Sequence, residues 1–293
     1  MSKILVVGDA MIDVYTHGSV NRINPEAPCV LFDVHENEEF VQVGGALNVA
    51  KILALEGEDV TFLGFWNMRL EDLAGDIKYF LSEDVDWDWP LLIKQRYMCG
   101  DATLLRVDYG KSFDQYYIQE FINILKQLTD DERAPFAEYD TVVISDYDKG
   151  TITPELISLL DANLRPDANI IIDTKKSSLD IFAPFNARCD VYLAVNFGEW
   201  LKLDHTAATY PTAVSMGAEG LAVYIDGRET KRFKTGVESV RSVVGAGDVV
   251  TATLALCMSK LDDFEYACER AEAAATYAVG LPHTSYDAGV RSA

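Results

Sequence analysis

Residues 3–8 (KILVVG) form a continuous apolar run ending in glycine, the pattern of a strand buried on both faces. Similar short runs recur at 60–64, 141–145, 169–173, 190–195 and 221–225. Between them, helical patterns cover 45–57, 70–82, 114–128, 154–163, 247–259 and 263–279. Strands alternating with helices predict an α/β fold, a mainly parallel sheet covered on both faces. Ligands of such sheets bind beyond the carboxyl ends of the strands. Asp9, Asp146 and Asp173 stand at or just after predicted strand ends, where that rule puts chemistry.

Two stretches break the rhythm. Residues 15–42 alternate in an extended manner around the turn-rich NRINPEAP, and 94–109 read as two short strands joined at Gly100-Asp101. Together they predict a small β-sheet lid over the mouth of the main sheet. Neither a repeat nor a low-complexity linker divides the chain, so one domain is expected over 1–293, its lid formed by about 15–42 and 94–109.

Composition narrows the function classes. With 49% hydrophobic residues over 293 positions, the chain can bury a large core. Acidic residues outnumber basic ones 47 to 25, a net charge of −22, which disfavours nucleic acid and anionic membranes as partners. An anionic substrate would therefore need a local cluster of Lys and Arg. No apolar run approaches the roughly 18 residues of a membrane span. Cys29, Cys99, Cys189, Cys257 and Cys268 show neither CxxC nor Cys/His spacing, and no signal-peptide pattern precedes KILVVG. A reduced, cytoplasmic setting is the simple expectation.

Candidate chemistry centres on Gly245-Ala246-Gly247-Asp248, set before an Ala-rich helix. Small flexible positions at a helix start let backbone N–H groups close around an anion, and Asp248 then stands beside it as a base. An ordinary Gly-rich turn is the plainer alternative. Gly44-Gly45 followed by Asn48 reads as backbone near a polyhydroxyl ligand, or as a simple loop-to-helix start. Asp9 and Asp13 read as acceptors for sugar hydroxyls, or as turn formers. Asn196 and Glu199 fit a helix cap with an acidic first turn, or a pair that organises Mg²⁺ and its waters. Ser215-Met-Gly217-Ala-Glu-Gly220 fits a hairpin turn or a phosphate contact.

In this order and spacing, GGALNVA (44–50), VNFGE (195–199), SMGAEG (215–220) and VVGAGD (243–248) resemble the motifs of the PfkB, or ribokinase-like, carbohydrate kinases. Within that family, GDAMIDVY, RINPEAP, LLRVD, SDYDKG and IIDTKK are similar to segments of heptose-7-phosphate kinases. The resemblance implies a three-layer α/β/α ribokinase-like core with a β-lid, and ATP and Mg²⁺ as cofactors. It further implies γ-phosphoryl transfer to a hydroxyl, O1 of D-glycero-D-manno-heptose 7-phosphate or a similar sugar phosphate. Asp248 would be the base, with Gly245, Ala246 and Gly247 as the anion hole. Asn196 and Glu199 would organise the metal, and Ser215, Gly217 and Gly220 would meet the nucleotide. Asp13, Gly44, Gly45 and Asn48 match sugar-contacting positions. Arg106, Lys149 and Lys175 are candidates for the sugar phosphate, with Arg22 and Arg96 contributing from the lid.

The chain also departs from the family pattern. Ser242 and Val244 stand where Asp and Thr are usual, and the segments 65–95 and 199–215 are short. No fused nucleotidyltransferase domain is expected within this chain. A kinase for another sugar or a nucleoside, and a weak or inactive ligand-binding relative, stay open. The apolar Cys29-Val-Leu-Phe32 predicts a homodimer through the lids.

Overall fold

On the first strand Ile4 and Val6 face one way, Leu5 and Val7 the other, and all four are completely buried. That two-sided burial sets the layering of the molecule. The structure is a computed structural model describing residues 2–75, 77–81, 89–130, 136–204, 209–236, 240, 242–261 and 263–280.

In chain order the strands are β1 (Lys3–Gly8), β2 (Ala10–Ile23), β3 (Val30–Gly45), β4 (Asp59–Leu63), β5 (Lys78–Tyr79), β6 (Ile93–Cys99) and β7 (Ala102–Tyr109). There follow β8 (Thr141–Asp146), β9 (Asn169–Thr174), β10 (Asp190–Asn196), β11 (Thr212–Ser215), β12 (Leu221–Ile225) and β13 (Arg228–Phe233). The helices are α1 (Ala46–Leu55), α2 (Met68–Ala74), α3 (Gln115–Asp130), α4 (Pro154–Asn163), α5 (Phe197–Trp200), α6 (Ala246–Met258) and α7 (Phe264–Ala278).

The main sheet runs β13-β12-β11-β10-β9-β8-β1-β4-β5. Its pairings are parallel from β5 to β11, and β12 and β13 close one edge antiparallel. Helices α1, α6 and α7 pack on the Ile4/Val6 face, and α3 and α4 on the Leu5/Val7 face. A second sheet, β3-β2-β6-β7, stands apart. Its β6–β7 hairpin turns at Gly100, where φ is 57°, as the Gly-Asp signal anticipates.

The differences from the sequence pattern have local causes. The helix expected over 70–82 spans only Met68–Ala74, capped by Asn67 and ended at Gly75, after which Lys78–Tyr79 joins the sheet edge. The periodic reading overran because Ile77 and Leu81 are buried by a strand-like segment rather than a helix. Strand β11 has four residues, and β13 (RETKRF) is a charged edge strand, so neither shows an apolar run. The second sheet begins at Ala10, five residues before the expected lid.

Entry into α1 depends on Gly45, whose φ of 61° and ψ of −141° suit glycine and strain other residues. A Cβ there would lie 2.4 Å from the Asp9 carbonyl oxygen. Gly45→Ala should therefore destabilise by about 1–3 kcal/mol, read as a drop of roughly 2–4 °C in Tm per kcal/mol. Gly236→Ala, where an added Cβ meets nothing within 4 Å, should leave Tm unchanged.

Candidate active site

The carboxyl ends of β1, β8, β9, β10 and β11 converge on the start of α6. Gly245 takes the left-handed conformation there, φ 80°, with no side-chain cap on the helix. The first-turn amides of a helix lack intrahelical partners, so this end presents N–H donors. Asp248 sits in that turn and is only 5% exposed. Its Oδ2 accepts from Asn48 Nδ2 at 2.7 Å, and its Oδ1 accepts from the Tyr147 hydroxyl at 2.6 Å. Burial pushes the Asp248 carboxyl up to about 6; the two donors oppose the rise, and the Asp173 and Asp13 carboxylates add to it.

Tyr147 is the hub of this arrangement, and the sequence reading did not single it out. Its backbone N–H donates to Asp9, its hydroxyl to Asp248, and its ring lies under Lys94 (4.8 Å) and Lys175 (5.1 Å). Asp9 is fully buried and accepts from the backbone amides of Tyr147, Lys149 and Thr151. It shapes the loop carrying Tyr147, which corrects the reading of Asp9 as a sugar acceptor. Lys149 joins this network through its main chain.

From the lid comes a buried ion pair between Asp13 and Arg96, 4% and 6% exposed, with the guanidinium 5.1 Å from the Tyr15 ring. A Cβ at Gly44 would lie 2.2 Å from Asp13 Oδ2, so glycine lets this carboxylate approach. Arg106, opposite Arg96 in the β6–β7 register, is held by Asp108 through two contacts of 2.6 Å. Lys94 has no carboxylate ion pair among the described residues; burial pulls its ammonium pKa down, and Asp13 opposes the fall. Arg22 is not brought to this cluster: it is exposed towards the far end of β2, opposite Leu31.

On the other side of α6 lies a cavity of about 760 Å³ whose lining includes Asn196, Glu199, Ser215, Gly217, Gly220, Ala246, Gly247 and Lys175. Asp248 and Asn48 lie outside its lining, on the lid side. Lys175 Nζ meets Asp173 Oδ1 at 2.9 Å and Glu199 Oε1 at 2.8 Å; these carboxylates outweigh burial and raise its pKa. Lys175 thus faces the cavity and not the lid. Asn196 and Glu199 form a reciprocal capping box on α5, Glu199 N to Asn196 Oδ1 at 3.0 Å and Asn196 N to Glu199 Oε2 at 2.8 Å. With Glu199 Oε1 on Lys175, the pair fits a hydrated ion carried in on phosphate oxygens, not direct ligation. No group of three or more metal-ligating side chains occurs among the described residues. Ser242 Oγ accepts from Val244 N at 3.2 Å and so turns the loop before α6 locally.

Residues 200–288 match the pfkB family carbohydrate kinase profile. The bifunctional protein HldE of Helicobacter hepaticus is 29% identical over 304 residues, which cover 95% of this chain and 60% of that protein. The Nitratiruptor sp. protein of the same name is 30% identical over 305 residues, 95% of this chain and 61% of its own. The chain thus spans about three fifths of the length of these relatives. Arabidopsis thaliana ribokinase complexed with ribose and ATP shares the fold, with a TM-score of 0.65 at 16% identity over 99% of this chain and 97% of its own. So does Escherichia coli phosphofructokinase-2 in its tetrameric inhibited form, TM-score 0.64 at 15% identity over 97% and 96%. No helix among the described residues is long and apolar enough to cross a membrane. The matched segment and the likeness over nearly all of this chain make it similar to the pfkB carbohydrate kinases, and the solved structures share its ribokinase-like architecture.

Proposed function

We propose that the chain is an ATP-dependent sugar kinase that moves the γ-phosphoryl group to O1 of D-glycero-D-manno-heptose 7-phosphate or a closely similar sugar phosphate. The observation that carries this reading is Asp248: a buried carboxylate, its pKa raised to about 6, beside a helix N-terminus and between a cavity of about 760 Å³ and a polar lid. Asp248 takes the proton from the acceptor hydroxyl as that oxygen attacks phosphorus. Asn48 and Tyr147 hold the carboxylate in the geometry for that proton. The amides of Gly245, Ala246 and Gly247 receive the charge on the phosphoryl oxygens, the main task in such a loose transition state.

The cavity suits the nucleotide, with Ser215, Gly217 and Gly220 near its phosphates and the apolar Val243 and Val279 against the base. Mg²⁺, held through water by Asn196 and Glu199, would neutralise phosphate charge. The acceptor lies under the lid, with Asp13 on its hydroxyls and its phosphate towards Lys94 and Arg106. Lys94 supports a phosphorylated acceptor because an unpaired ammonium over Tyr147 is a ready anion partner. The lid sheet exposes Ile23, Val30, Val34 and Leu105, which supports pairing of two chains through their lids.

Asp248→Asn should lower kcat by about 10²–10⁴-fold while ATP binding, followed by calorimetry, persists; near-normal turnover would refute the assigned base. Since the base must be ionised, kcat should rise tenfold per pH unit and level off above about 6. The stability sign is the reverse. A folded-state pKa of about 6 against 3.8 favours the protonated fold, an advantage present below 3.8 and lost as pH rises through 6. Urea denaturation should show Asp248→Asn gaining on the wild type between pH 4 and 7, by up to about 3 kcal/mol. Lys94→Met should raise KM for the sugar phosphate by about 10–100-fold, the scale of one charged hydrogen bond, and leave KM for ATP unchanged.

A further inference from the structure

Gln42 stands directly opposite Asp13 in the β2–β3 register, and the same row continues through Lys94 on β6 to Asp108 on β7. Directly paired residues of neighbouring strands share a face of the sheet. Lys94 reaches the ring of Tyr147, and Tyr147 bonds Asp248, so the face holding Gln42 is the one turned to the proposed base. Gln42 is 6% exposed, and its Nε2 is buried with no hydrogen-bond partner among the described residues. Buried amide donors are almost always satisfied, and one left unmade costs stability. A methionine would fill the same space without that cost. Asp13, by contrast, is already bound to Arg96.

We infer that Gln42 is a specificity-determining residue of the acceptor site, donating through Nε2 to a hydroxyl next to one that the Asp13 carboxylate accepts from. This rests on the kinase reading of the site. Opposed residues on paired strands have Cβ atoms about 4.5–5.5 Å apart, close enough to serve adjacent hydroxyls of one ring. The donor on Gln42 and the acceptor on Asp13 thus select a vicinal diol, one hydroxyl accepting and its neighbour donating. The row also orders the acceptor: hydroxyls towards β3, phosphate towards β6 and β7.

The test compares wild type, Gln42→Met and Gln42→Glu by calorimetric titration with D-glycero-D-manno-heptose 7-phosphate, by KM and kcat, and by Tm. Gln42→Met should weaken acceptor binding about 2–12-fold, the scale of one neutral hydrogen bond. Its kcat and its KM for ATP should be unchanged, and its Tm equal or higher. Gln42→Glu, which brings a second carboxylate beside Asp13, should weaken binding further. Unchanged acceptor affinity in Gln42→Met, or a lowered Tm, would overturn the assignment and make Gln42 a structural group. If the wild type transfers phosphate to neither the heptose phosphate nor ribose, mannose and their phosphates, the kinase reading falls, and the role of Gln42 with it.

Discussion

The site depends on keeping one carboxylate charged where burial favours its neutral form. Asp248 is 5% exposed with Asp173 and Asp13 near enough to repel it, and what offsets this is two short hydrogen bonds from Asn48 and Tyr147. Those donors come from distant parts of the chain, 200 and 101 residues away. Much of the surrounding structure serves to bring them in. Gly45 sets the entry of α1 and hence Asn48, and buried Asp9 gathers three backbone amides to shape the loop that offers Tyr147. A carboxylate with fewer donors would be a better base and a worse anion; with more, the reverse. For the proposed base, two donors leave it near the pH at which a proton could be taken and given back.

Much of this was legible in the chain. The apolar runs at 3–8, 141–145 and 169–173 each became a strand: they are short and rich in Val and Ile, as strands buried on both faces require. The start of α6 was legible because Gly245 needs a positive φ and Asp248 falls in the first turn. What stayed hidden has a common physical form. Tyr147, Lys94 and Gln42 gain their meaning only from cross-strand register and loop packing, and nothing in their own neighbourhoods marks them. Asn196 and Glu199 show the opposite difficulty: both readings of the pair can hold together. The capping box is present, and it orients the same carboxylate towards Lys175 and the cavity.

Cations are distributed unevenly in a chain of net charge −22. Arg96 is locked to Asp13, Arg106 to Asp108, and Lys175 to Asp173 and Glu199. Lys94 alone of these four has no carboxylate ion pair among the described residues, and it lies over the ring whose hydroxyl meets Asp248. A half-buried ammonium without an ion pair costs stability, and in the proposed site an arriving anion would remove that cost. The partnerless amide of Gln42 obeys the same logic with a neutral group. Each leaves a polar contact unmade in the free protein, so the interaction a ligand gains is not first subtracted by breaking an internal bond.

The paired cations do different work. Arg96, stacked near Tyr15 and bound to Asp13, is fixed in place, so the Asp13 carboxylate enters the site already oriented and with its charge partly balanced. That balance matters because a second free carboxylate beside Asp248 would raise its pKa further and blunt it as a base at neutral pH. Tying Asp13 to a guanidinium lets the lid offer a hydrogen-bond acceptor to hydroxyls without adding a full negative field at the proposed base. In the proposed kinase the locked pair and the unpaired lysine are therefore complementary: one would keep Asp248 usable, and the other would give an incoming anion a reason to settle beside it.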